Sequence, residues 1–321
     1  MALKTLQNLK GSCMHIDLTG IVTPLATPFA KDGESIDTAA FRKLIDAVIG
    51  SGVKAIIANA ATSQFSALDD KERELAAEIA VDQAAGRVPV LIGAGAPSTR
   101  GAIQWARHAQ SLGAAGVLIM PPFYGPTPAD ISVRHFAAIS DACPIPIMVY
   151  NAPYASHFIL LPEHIVQIVE KANVPWVKLT TGAIDHVTAL RLLLGRQIAV
   201  FEGVDPLAFP SFCLGADGWV AGPSNMIPEI ALEMWRRVQA GEIESARRLQ
   251  DRVYPLLDAM RQKMGYMGVI NEVCRMRGLE LGPVRLPACE LEPEHRARVR
   301  AAARELGLEG TPIGKLDARK L

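Results

Sequence analysis

The stretch LGAAGVLIM (112–120) decides the fold. It reads as a helix that ends in glycine and turns at once into a short run of Val, Leu and Ile. Glycine just past a helix end reaches the left-handed conformation cheaply, so Gly113 is a stop signal and the apolar run that follows is a strand. The same device recurs in SGVKAII (51–57) and LGADGWVAG (214–222), a weak internal echo that marks where successive helices turn back into one sheet.

Working outward, short Val- and Ile-rich runs alternate with longer segments of helical period, the pattern of repeated βα units around a parallel sheet. Eight strands are predicted, at Gly20–Thr27, Val53–Asn59, Pro89–Gly93, Ala115–Met120, Ile147–Asn151, Pro175–Leu179, Gln197–Glu202 and Gly218–Ala221. Helices are predicted between them at Asp37–Ile49, Asp69–Ala84, Ser98–Leu112, Ile131–Ala142, Pro162–Ala172, Ile184–Leu194 and Pro206–Leu214. The spacing is that of a (β/α)8 TIM barrel. After the eighth strand the pattern turns purely helical (Ile227–Gln239, Glu242–Met264, Tyr266–Arg277, Glu292–Leu306), which predicts a C-terminal helical extension packed beside the barrel. The expected division is an N-terminal extension at 1–17, the barrel at 18–240 and the helical segment at 241–321, with a polar, frayed end beyond Leu308.

The 321 residues are 50% hydrophobic, and 33 basic side chains balance 33 acidic ones. A chain with no net charge lacks the basic surface that attracts nucleic acid or an anionic membrane, so neither is an expected partner. Five scattered cysteines without a CxxC pair, no continuous apolar stretch in the first twenty residues and no long apolar run later predict a cytoplasmic protein with reduced thiols.

Barrel sites lie at the C-terminal ends of the strands. There the run Val174-Pro-Trp-Val-Lys-Leu179 places an ammonium group at the end of an otherwise apolar strand, where desolvation favours the neutral amine. Lys54 touches a strand only at its start. Among eleven lysines, Lys178 alone has the position of a Schiff-base nucleophile. The competing reading is a lysine that snorkels to solvent. Tyr150 ends the preceding strand on the same rim, either as a proton shuttle or as a buried phenol tied to a carbonyl. Tyr124, in Pro121-Pro-Phe-Tyr124, belongs to the barrel mouth or to a subunit contact. The loop Asn59-Ala-Ala-Thr-Ser-Gln64 is either a seat for a carboxylate, through backbone amides and the Thr62 hydroxyl, or simply the approach to a helix capped by Asp69-x-x-Glu72. Seven histidines form no HxH or HxxxH pair, and no glycine-rich phosphate loop is present, so neither a metal nor a cofactor is expected.

Taken together, GIVTPLATPF (20–29), PPFYGPT (121–127), VYNAP (149–153), VKLTTG (177–182) and GPVRLP (282–287) resemble the dihydrodipicolinate synthase and N-acetylneuraminate lyase family of class I, pyruvate-type aldolases. The resemblance runs from about Gly20 to about Leu306. It implies that Lys178 forms an imine with a 2-oxo acid such as pyruvate and that Tyr150 is the acid/base phenol. It further implies that Tyr124 sits at or across a tight dimer interface, within a homodimer or homotetramer.

Departures bear on the substrate. Ala61 stands where the family carries the threonine of a Tyr–Thr–Tyr relay, while Thr62 survives and, with the Ala61 and Thr62 amides, suits a substrate carboxylate. Ala155 stands where biosynthetic dihydrodipicolinate synthases carry an arginine, and a methyl cannot replace a bidentate guanidinium. Thr180 and the segment Phe201-Glu-Gly-Val-Asp205, with Gly203 and Asp205, resemble positions that meet substrate hydroxyls in sialic acid lyases, although Pro206 and Gly222 depart from that pattern. Tyr154 and His157 flank the missing arginine and mark a different acceptor pocket or an ordinary loop. The expectation is a lyase or aldolase that makes or breaks a carbon–carbon bond through a lysine enamine. Its alternatives are a 2-keto-3-deoxy sugar acid dehydratase, a dihydrodipicolinate synthase and a catalytically silent 2-oxo-acid binder.

Overall fold

The computed structural model describes residues 16–321 apart from 263 and 264. Eight parallel strands close into a barrel in sequence order: β1 (Gly20–Pro24), β2 (Ala55–Ala58), β3 (Val90–Gly93), β4 (Gly116–Ile119), β5 (Ile147–Asn151), β6 (Trp176–Leu179), β7 (Ala199–Glu202) and β8 (Gly218–Val220). Each lies inside its predicted run. The stop signals behave as the sequence implies, since Gly52, Gly113 and Gly215 all adopt positive φ.

Around the strands lie α1 (Thr38–Gly50), α2 (Asp70–Ala84), α3 (Thr99–Ser111), α4 (Ala129–Ala142), a short α5 (Pro153–Ser156), α6 (Pro162–Val169), α7 (Asp185–Leu194) and α8 (Ala208–Cys213). The predicted capping pattern holds, since Asp69 and Glu72 form a reciprocal capping box on α2; Asp37 and Ser98, read from sequence as first helical residues, are instead the N-caps of α1 and α3. α9 (Pro228–Gln239), α10 (Ile243–Met260), α11 (Tyr266–Met276) and α12 (Pro293–Glu305) follow the last strand. The predicted helix Glu242–Met264 ends earlier, at Met260, and its last two positions, like the 1–15 segment with Cys13, lie outside the described residues. Among the described residues the cysteines Cys143, Cys213, Cys274 and Cys289 are free thiols, and no helix is long and apolar enough to cross a membrane.

The end beyond Leu308 corrects the sequence expectation of fraying. Leu308, Ile313 and Ala318 are buried. Arg277 donates to the carbonyls of Thr311 and Pro312, Glu229 accepts from the amides of Gly314 and Leu316, and Arg237 donates to the carbonyls of Ala318 and Arg319. A polar tail stays ordered because helices α9 and α11 supply partners for its backbone.

Two apolar clusters divide the barrel. Val177 and Leu179 belong to the layer between strands and helices, whereas Trp176 packs inside the barrel with Val22, Ile57, Leu91, Met148 and Phe201. Side chains alternate along a strand, so Lys178 points inward with Trp176.

Candidate active site

Lys178 is paired in register with Tyr150 on β5 and Phe201 on β7. Its residue is 5% exposed, and Nζ lies 4.2 Å from the centroid of the Tyr150 ring. No hydrogen bond or ion pair to Nζ is present among the described residues. Burial lowers the amine from its ordinary value to about 8, against the opposing pull of Asp205 and Glu202. The snorkelling alternative therefore fails, because the ammonium end does not reach bulk solvent. Gly203 is shaped by this side chain: a Cβ there would stand 2.2 Å from Thr180 Oγ1 and 2.6 Å from Lys178 Cε.

Lys178 opens into a cavity of about 670 Å³. Of the residues singled out from sequence, Ala61, Thr62, Tyr150, Thr180, Gly203 and Asp205 all line it. Ala61 and Thr62 open a single turn of 3-10 helix, where the first amides have no partner within the turn. Thr180 Oγ1 is buried with no hydrogen bond of ordinary length, although it lies near enough to the Tyr150 phenol to oppose the upward shift that burial imposes there. Asp205 is buried, and burial raises it to about 6, although Tyr266 OH donates to Oδ2 at 2.9 Å and Trp219 Nε1 donates to Oδ1 at 3.1 Å.

Tyr124 stands apart, 93% exposed on the loop after β4 and outside the cavity. The phenol that meets Tyr150 is Tyr154, with the two hydroxyl oxygens 2.7 Å apart. α5 presents it: Pro153 opens this one turn of helix after β5, and His157 ends it in the left-handed region. Burial, followed by Tyr154, raises the Tyr150 phenol well above its usual range. His157 does not line the cavity.

Sequence reasoning missed the wall built by the C-terminal segment. Met260, Tyr266, Met267, Arg285 and Ala288 all line the cavity. Arg285, inside the GPVRLP motif, is a strut: Nη1 and Nη2 grip Glu72 at 2.7 and 2.6 Å, Nε donates to Gly33 O, and its backbone amide donates to Gln64 Oε1. No sequence spacing announces a contact between positions 72 and 285. Among the described residues no group of three His, Cys, Asp or Glu side chains is placed to hold a metal ion.

A closed parallel barrel with an unpaired, desolvated lysine at the end of β6 is the frame of class I aldolases and lyases, and the protein is an enzyme of this lysine-imine class. The chain belongs to the dihydrodipicolinate synthetase family, whose sequence model matches residues 17–306. It is 34% identical over 285 residues to a 4-hydroxy-tetrahydrodipicolinate synthase of Thermomicrobium roseum, covering 89% of this chain and 93% of that protein. Among solved structures it is similar to dihydrodipicolinate synthase from Aquifex aeolicus, with TM-score 0.86, 27% identity and coverage of 91% of this chain and 99% of the other. It is also similar to YagE, a prophage protein of the dihydrodipicolinic acid synthase family from E. coli K12 solved in complex with pyruvate, with TM-score 0.85, 26% identity and coverage of 90% and 99%.

Proposed function

We propose that Lys178 attacks the keto carbon of pyruvate or a related 2-oxo acid and that the resulting enamine makes or breaks a carbon–carbon bond. The observation that carries this reading is a buried strand-end amine that makes no ion pair or hydrogen bond among the described residues and faces an open cavity. With the amine near 8, roughly a tenth of it is free base at pH 7, against about 0.03% for an ordinary lysine near 10.5. The 2-oxo acid's carboxylate would rest on the Ala61 and Thr62 amides and the Thr62 hydroxyl. Tyr150 would give a proton to the departing carbinolamine oxygen and take part in protonating or deprotonating the enamine. Thr180, whose hydroxyl makes no hydrogen bond of ordinary length, and Gly203, which leaves room beside the lysine, complete the seat.

Ala61 carries no hydroxyl to relay protons, and Tyr154 offers a substitute within the same chain. Its hydroxyl touches that of Tyr150 at the cavity wall, and burial raises this phenol too above its ordinary range, so it can pass a proton to or from the catalytic phenol while remaining neutral itself. Tyr124, left 93% exposed by the described residues, is assigned to a contact between copies in a homodimer or homotetramer, and the enzyme to the cytoplasm.

Borohydride reduction in the presence of pyruvate tests the imine. The expected product is a single carboxyethyl adduct that maps to Lys178 and is absent from Lys178→Ala; an adduct on another lysine, or none with any 2-oxo acid, refutes the assignment. Tyr150→Phe should lower kcat by about 10²- to 10⁴-fold with a smaller change in KM, and an unchanged kcat would remove Tyr150 from the mechanism.

A further inference from the structure

Cavity-lining groups that could recognise a polar acceptor are already committed. Both oxygens of Asp205 hold protein donors, from Trp219 and Tyr266. The guanidinium of Arg285 is spent on Glu72 and on the carbonyls of Gly33 and Ala67. Tyr150 and Tyr154 bind each other. Tyr266 also fills space: a Cβ added at Gly222 would lie 1.8 Å from its hydroxyl oxygen, so no hydroxyl-bearing side chain fits at 222 while this phenol is in place. Arg261 lies on the exposed rim, where a charge contact is worth little.

What remains is mainly apolar, apart from the Ser66 hydroxyl on the exposed rim. Ala61, Ala67, Val204, Met260, Met267 and Ala288 contribute side chains to the wall. The only buried polar atoms on cavity-lining residues without a hydrogen bond of ordinary length, among the described residues, are Thr180 Oγ1 and Gln64 Nε2. With Thr180 assigned to the seat of the 2-oxo acid, Gln64 Nε2 and the Ser66 hydroxyl suffice for about one carbonyl or hydroxyl group and leave a polyol chain or a second carboxylate desolvated without partners, which costs more than it returns. A cavity of about 670 Å³ is within the range that holds ring-sized ligands.

We infer that the acceptor taken by this enzyme is an apolar aldehyde, aromatic or branched aliphatic, and that Tyr266, by closing on Asp205 and occupying the space beside Gly222, excludes polyhydroxylated and carboxylate-bearing aldehydes. The step it serves is an aldol addition. The enamine carbon of the Lys178–pyruvate adduct gives its electron pair to the aldehyde carbon, and the aldehyde oxygen takes the Tyr150 proton. Earlier, the phenolate left by carbinolamine dehydration takes the pyruvate methyl proton, which makes the enamine and reforms the phenol; after the addition, water hydrolyses the protonated imine, releasing a 4-hydroxy-2-oxo acid, the free amine and the proton that restores the phenol. In the reverse direction the same acid is cleaved.

The inference rests on the lysine-imine reading, so the two are separated by measuring the borohydride adduct with pyruvate first; its absence sinks the reading. With the adduct established, pyruvate consumption is followed with benzaldehyde, isovaleraldehyde, glyceraldehyde and aspartate semialdehyde. The expected result is a kcat/KM at least about tenfold higher for the two apolar aldehydes. A preference for glyceraldehyde or for the semialdehyde, or an adduct that consumes neither apolar aldehyde, overturns the inference. Tyr266→Ala, and the near-isosteric Tyr266→Phe should the first variant fail to fold, release Asp205 and should narrow the ratio of benzaldehyde to glyceraldehyde at least fivefold. An unchanged ratio in a folded variant removes Tyr266 from the selection.

Discussion

Arg277 and Lys178 are both basic side chains withdrawn from water, and their surroundings differ in one respect. Arg277, with its side chain fully buried, uses all five N–H groups: two meet Glu229 at 2.7 and 3.1 Å, and three meet the carbonyls of Met226, Thr311 and Pro312. Lys178 sets its amine against an aromatic face and, among the described residues, has no hydrogen-bonded carboxylate; Asp205 and Glu202 act on it only from a distance. Burial with a complete set of partners makes the arginine a fastener, tying α11 to α9 and to the C-terminal tail. Burial without partners lowers the lysine to about 8 and leaves a nucleophile. The same desolvation thus yields scaffold or chemistry according to what faces the charge.

Removing the partner from the fastened cation should have the largest effect on stability. Glu229→Gln preserves shape but leaves Arg277 buried beside a neutral amide, and it also weakens the acceptor for the amides of Gly314 and Leu316. Urea unfolding should show a loss of about 3–5 kcal/mol. A loss under about 1 kcal/mol would mean that the arginine's carbonyl contacts suffice and that the contrast with Lys178 is false.

How much of this was legible beforehand depended on distance along the chain. The strand-end position of Lys178 in an otherwise apolar run singled it out, and the preceding strand placed Tyr150 on the same rim, because both signals lie within single elements. The capping box at Asp69 and Glu72 joins residues three positions apart and was equally plain. Tyr266 reaches Asp205 across 61 positions, and Arg285 reaches Glu72 across 213; side chains so far apart carry no shared periodicity. Tyr154 was visible only as a neighbour of a missing arginine, since the one-turn helix that aims it has no sequence period. The tail beyond Leu308 misled because its composition is polar, and its partners belong to helices already assigned to other tasks.

Next in size is the cost of the unpartnered amine. The folded-state value near 8 lies below the ordinary 10.5, so the folded protein disfavours the charged form by about 3 kcal/mol. Below pH 8 both folded and unfolded chains carry the proton and this cost is fully present. Between about 8 and 10.5 the unfolded chain binds more proton than the folded one, so stability rises with pH across that window. Lys178→Met should therefore raise stability at pH 7 by up to about 3 kcal/mol while abolishing the imine, and its advantage should vanish by about pH 10.5. A variant less stable than the parent at pH 7 would show that the amine is paired in solution. Adduct formation in the parent enzyme should climb from pH 6 and level off above about 8.

The smallest effect belongs to the other strand-associated lysine. Lys54 precedes β2 and pairs with Asp17 at 3.1 Å, with the two side chains 42% and 61% exposed. Asp17 is held near 2 chiefly by hydrogen bonds from Thr19, with Lys54 contributing less, so the carboxylate stays comfortable without the amine. Lys54→Ala should cost less than about 1 kcal/mol, and the difference should shrink in high salt as the exposed pair is screened. It should also leave the borohydride adduct intact, because this amine is paired with Asp17 outside the cavity. A loss comparable to that of Glu229→Gln would show that exposure is a poor guide to which lysine matters, and the contrast between paired, unpaired and solvated cations would then need another physical basis.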